Sequence, residues 1–123
     1  MNALCHCKNC SRARGVSPVH ILGVSPVDAL KIVEGEEHIV TSGKAVTRCF
    51  CSKCGTLIHQ GPVTAPFRAL MPATFQIDGK LPVEMLPTAH VNYESRHWDV
   101  NDALPKYKEF PGGPMMDSAG NVL

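Results

Sequence analysis

Two copies of one cysteine pattern constrain this chain more than any other feature. Cys5, Cys7 and Cys10 form C-x-C-x2-C, and Cys49, Cys51 and Cys54 repeat that spacing 44 residues later. Three thiols within six residues can wrap one tetrahedral ion, with the x2 step turning the chain back. Short C-x2-C turns are common zinc ligands. Zn²⁺, one or two ions per chain on these six cysteines, is therefore the preferred reading. Disulfides or redox thiols, and an iron–sulfur cluster, are the alternatives. Met1 to His6 has neither the basic nor the apolar region of a signal peptide. A cytoplasmic, reducing setting is the expectation, and there clustered cysteines favour metal chemistry over disulfides.

The 123 residues are expected to form one domain with a real core. A formal net charge of +1 argues against a nucleic-acid surface or an acidic-lipid binder. No apolar run approaches the ~18 residues of a membrane helix. Ten prolines and no sustained 3.6 period argue against long helices and for short strands. Residues 16–24, 46–50 and 56–59 read as strands, the last two forming a zinc knuckle on a hairpin with Gly55 in its tight turn. Ser11 to Gly15 reads as a polar turn, and Ser25 to Asp28 as a helical turn capped by Ser25. Residues 30–33 and 38–40 read as a hairpin around Glu34 to Glu37. Residues 67–71, 75–77, 85–86 and 89–93 read as short strands, and 102–107 as one helical turn. The fold class is all-β, a zinc-clamped domain over residues 1–110, with 111–123 as a mobile tail.

Cys5-His6-Cys7-Lys8-Asn9-Cys10 with Gly15, the Phe50-Cys51-x2-Cys54-Gly55 knuckle, and His90 and Trp98 near Asp102-Ala-Leu-Pro105 resemble one family. They are similar to the glutathione-dependent formaldehyde-activating enzymes, which include centromere protein V. The likeness runs over residues 4–110. It implies antiparallel sheets meeting like a tent over zinc. It also implies a three-cysteine catalytic site with an open position, matching Cys5, Cys7 and Cys10, and a four-cysteine structural site. The C-x2-C half of the structural site matches Cys51 and Cys54. Its C-x-C half, in an earlier strand of the family pattern, has no counterpart here. Cys49 would share a strand side with Cys51 and could substitute as a ligand; the competing reading is a buried apolar thiol beside an empty second site.

The implied activity is a carbon–sulfur lyase type, joining formaldehyde and glutathione as S-hydroxymethylglutathione. The partners would be a small thiol or aldehyde, with glutathione as co-substrate. Lys8, Arg12 and Arg14 could meet the two glutathione carboxylates, against the plainer reading of solvated surface charges. A non-catalytic, zinc-stabilised interaction module is the other function class, and metallothionein-like storage a distant third. His6 reads as a surface residue of the knuckle, and His90 as structural. His59 reads as a strand histidine or a fourth ligand, and Trp98 as a core plug. No Ser-His-Asp arrangement, P-loop or dinucleotide fingerprint is present.

Overall fold

A computed structural model describes all residues from Met1 to Leu123. It is built mostly of short, mainly antiparallel strands with one α-helix, which bears out the all-β expectation. The chain divides into two compact units, residues 22–81 with Met1, and residues 2–21 with 82–123.

The first unit is antiparallel throughout. Its strands are β3 (Ile39–Ser42), β4 (Val46–Cys51), β5 (Leu57–Pro62) and β6 (Arg68–Leu70), in that spatial order. The Leu22–Val24 half of β2 (Val19–Val24) then pairs with β6. Leu57, Ala69 and Met71 form the apolar interior, and burying a side chain the size of Leu57 contributes roughly 1.5–3 kcal/mol. Gly55 closes the β4–β5 connection at φ 74°, a left-handed turn that a side chain would strain.

The second unit holds β1 (Asn2–Cys5), α1 (Lys8–Arg14), the start of β2, β7 (His90–Val91), β8 (Lys106–Tyr107) and β9 (Met115–Met116). β1 pairs with β7 and β7 with β8 in parallel, and β8 with β9 antiparallel. The parallel pairs depart from the antiparallel expectation. They are possible because the connections from β1 to β7 and from β7 to β8 are long enough to bring the chain back in the same direction. Ala3, Val91 and Tyr93 are fully buried here, with Ala89 and Met116 beside them.

Several local expectations differ from the structure. The polar turn at Ser11–Gly15 is the second half of α1, which Gly15 ends at φ 66° by donating its N–H to the Ser11 carbonyl. Seven helical residues are too few to display a helical period. Ser25 caps nothing; a 3₁₀ turn covers Val27–Ala29 after Pro26. The hairpin around Glu34–Glu37 does not form. Residues 36–38 make a 3₁₀ turn, and β3 pairs with β4 instead. Residues 75–77 and 85–86 lie at or beyond the 3₁₀ turns Pro72–Thr74 and Val83–Met85 rather than in strands. The helical turn expected at 102–107 is a loop leading into β8. Residues 111–123, expected as a mobile tail, carry β9, and Met116 is buried and bridged to Val122. No helix is long and apolar enough to cross a membrane.

Candidate metal centre

β1 alternates half-buried and buried residues, so Ala3 and Cys5 face inward together. The chain then breaks from the strand at His6 and enters α1. Cys7 is the N-cap: its sulfur accepts from the Cys10 N–H at 3.2 Å. A strand end, an N-cap and the third residue of a helical turn thus aim three thiols at one point. The sulfurs of Cys5, Cys7 and Cys10 all lie within 4.8 Å of one another, and no His, Asp or Glu joins them. Asn92, the one non-glycine residue at positive φ (53°), donates its side-chain amide to the Cys5 sulfur at 3.5 Å.

Hydrogen bonds from Cys10 and then Cys5 hold the Cys7 thiol far below its ordinary range. The same sharing, first with Cys5 and then with Cys7, drives Cys10 far up. Crowded thiols that cannot all ionise are what a cation relieves. Tetrahedral zinc places its sulfurs about 3.8 Å apart, from bonds of about 2.3 Å. The cluster fits that ion in donor type and spacing.

Behind the thiols runs a polar chain that leads from the buried His6 and His90 to the exposed Asp102. His6 Nε2 meets His90 Nδ1 at 2.8 Å, and His90 Nε2 meets Asp102 Oδ2 at 2.9 Å. Lys106 Nζ reaches Asp102 Oδ1 at 2.9 Å. His6 and His90 are 1% and 0% exposed: His6 is no surface residue, which corrects that expectation, while His90 is buried and hydrogen-bonded as a structural residue would be. Burial first, and then His90, hold His6 down at about 4, which keeps it neutral at neutral pH. Burial pushes Asp102 up, but the hydrogen bonds from Lys106 and His90 outweigh it and hold the carboxyl at about 2.

Residues 1–95 match the family described as glutathione-dependent formaldehyde-activating enzyme. The chain belongs to that family. No curated protein matches the chain. A crystal structure of a Rhodobacter sphaeroides protein is similar over 70% of this chain and 78% of its own, at a TM-score of 0.51 and 20% identity, a likeness of fold.

Within this family member the second cysteine motif is arranged differently. Cys49 is buried in β4, its sulfur 3.2 Å from Thr41 Oγ1, and it is not gathered with Cys51 and Cys54 into a three-sulfur group. β4 pairs with β3 in unbroken register across Cys49 and Cys51, so the two share a strand side as expected, yet this does not make Cys49 a third sulfur of the turn pair. The irregularity in the β4–β5 pairing places its extra residue, Ile58, on β5 and leaves β4 regular. Cys51 and Cys54 do face each other, and a hydrogen bond first from Thr56, then from Cys51, lowers the exposed Cys54 thiol. His59 sits opposite Cys49 on β5 with its Nδ1 buried and unpartnered, and it joins no sulfur group.

The basic residues lie on α1: Lys8 and Arg14 half-buried, Arg12 exposed. Arg12 lines a groove of about 240 Å³ with Ser11, Gly15, Ser17, His97 and Trp98. Trp98 is 57% exposed and plugs nothing; Tyr93, wholly buried, fills the interior position instead. Asn92, Tyr93, Asp102 and Lys106 were missed from sequence. The only local signal was Asn, a residue that tolerates the left-handed conformation Asn92 adopts.

Proposed function

We propose that this protein makes or breaks the carbon–sulfur bond of a glutathione–formaldehyde adduct, S-hydroxymethylglutathione, as a zinc-dependent carbon–sulfur lyase. The supporting observation is the convergence of Cys5, Cys7 and Cys10 in a chain of this family, with no fourth protein donor within reach. These three cysteines would hold Zn²⁺, which, when bound, offers an open position that favours a thiolate over a thiol at neutral pH.

In the forming direction the thiol sulfur adds to the carbonyl carbon. The π pair moves to oxygen, and the proton lost from sulfur ends on that oxygen. Atoms and charge balance without a further reactant. The chain's own part is to place the thiol. Arg12 in its groove, with Lys8 and Arg14 on the same helix, offers positive charge to the two glutathione carboxylates. Trp98 lines the same groove and would shield a peptide bound there from water. Thiols gathered to hold a metal suit a reducing, cytoplasmic setting.

The test is exchange spectroscopy of formaldehyde with glutathione, with and without the zinc-loaded protein. Faster exchange with wild type, lost in a folded Cys7→Ser variant, is the expected result. Exchange at the uncatalysed rate with wild type overturns the enzymatic reading and leaves the non-catalytic zinc module.

A further inference from the structure

We propose that His90 is a positioning residue for the thiol cluster: it grips the ring of His6, the residue between Cys5 and Cys7, and so sets the spacing of the two flanking sulfurs. The proposal rests on the reading that Cys5, Cys7 and Cys10 take a metal.

His6 is fixed twice from the same strand. Its backbone N–H donates to the Val91 carbonyl at 3.0 Å, and its ring Nε2 meets His90 Nδ1 at 2.8 Å. His90 is itself fixed at both ends. Its backbone N–H donates to the Pro105 carbonyl at 2.8 Å, and its Nε2 lies 2.9 Å from Asp102 Oδ2. Asp102 accepts a further bond from Lys106 Nζ, which also donates to the Leu104 carbonyl at 3.1 Å.

The chemistry gives this chain one direction. An ionised carboxylate only accepts, so His90 Nε2 carries the proton that points at Asp102. In the neutral ring Nδ1 is then an acceptor, and His6 Nε2 must be the donor to it. This tautomer assignment follows from the network. Tyr93 closes the sides, its ring edge-on to both imidazoles at 5.0 and 5.7 Å.

Two buried imidazoles and a buried lysine are a costly way to fill space that apolar side chains could fill. The location gives them a use. The pair meets the chain at the middle residue of Cys5-His6-Cys7, where β1 stops and α1 begins, and where backbone freedom would otherwise let the sulfurs diverge. Outer partners that orient ligands are commonly worth 10–100-fold in metal affinity. His6 and His90 lie within the matched residues 1–95, and Asp102 and Lys106 beyond them.

The test measures Zn²⁺ affinity by competition with a chromophoric chelator, and the visible spectrum of the Co²⁺-loaded protein, in wild type, His90→Phe and Asp102→Asn. The signal of this cluster is the part that Cys7→Ser removes. His90→Phe is expected to weaken Zn²⁺ about 10-fold or more and to shift the Co²⁺ bands. Asp102→Asn should move both readouts the same way by less. A merely structural His90 would lower the melting temperature and leave the affinity and spectrum of the folded chain unchanged, which overturns the proposal. Should His90→Phe fail to fold, Asp102→Asn and Lys106→Met decide, and wild-type affinity in both overturns it. A wild type that takes up no metal on these cysteines overturns the metal reading and the proposal together, and is told apart because the parent protein itself fails.

Discussion

The two C-x-C-x2-C motifs have the same spacing and opposite outcomes. At Cys5, Cys7 and Cys10 the backbone changes type twice, from strand to N-cap to helix, and each change swings a thiol toward its neighbours. At Cys49, Cys51 and Cys54 the first two cysteines stay inside β4. They are held two residues apart along an extended strand, Cys49 against Thr41, and only the turn pair faces each other. The first motif ends in buried or half-buried sulfurs backed by a polar network. The second runs from a buried thiol to an exposed one. Spacing therefore limits which thiols can meet, and local backbone geometry decides which ones do.

The largest expected effect tests the first cluster. Cys7→Ser removes a ligand while its hydroxyl can still cap α1, and is expected to cost about one zinc per chain by metal analysis and to return formaldehyde–glutathione exchange to the uncatalysed rate. Cys49→Ala is the counterpart in the second motif. It should leave metal content unchanged and lower stability by about 1 kcal/mol, the usual cost of trimming a small buried side chain. A loss of about one zinc in Cys49→Ala would break the comparison, since both motifs would then work alike.

A smaller effect compares the two turns. Gly15 and Gly55 adopt φ 66° and 74°, and a Cβ on either would meet nothing within 4 Å. Gly15→Ala and Gly55→Ala should each cost about 1 kcal/mol through backbone strain alone, read from denaturant midpoints. A clearly larger cost at Gly15 would show that the end of α1 is coupled to the cluster it carries.

What the sequence revealed follows the same logic. The first cluster was legible because its geometry is local: six residues bring the thiols together whatever the rest of the chain does. β4 and β5 were legible from β-branched residues on either side of a C-x2-C-G turn. The His6–His90 pair was not, because its partners are 84 residues apart and meet only through the parallel pairing of β1 and β7. His90 read as an ordinary strand residue, Asp102 and Lys106 as part of a helical turn, and nothing local marks a residue for a distant partner. Trp98 misled for the opposite reason. Large aromatics usually go inside, yet Tyr93 had already taken that position, with its hydroxyl donating to the Ser118 carbonyl at 2.7 Å.

The smallest effect is a pH dependence that treats the two units as independent. His20 on β2 lies in the second unit, and its Nε2 meets Asn2 Oδ1 at 2.7 Å, at the start of the strand that delivers Cys5. His59 on β5 lies in the first unit, opposite Cys49. Burial lowers the pKa of both, and Arg68 adds to the effect at His59. A histidine whose folded pKa lies below its unfolded value near 6.5 binds protons more readily when unfolded. Its neutral form contributes stability that is fully present above that unfolded value. The contribution is lost as pH falls from there through the folded pKa. Wild type should therefore lose stability on acidification from pH 7 to 5 more steeply than His20→Gln or His59→Gln, measured by denaturant unfolding at fixed zinc. Gln at position 20 can still donate to Asn2, so that variant mainly removes the titration. The two histidines share no partner, so the double variant should flatten the profile by the sum of the single effects. A non-additive double variant would mean that the two units respond to acid as one, and that the two cysteine motifs cannot be treated separately.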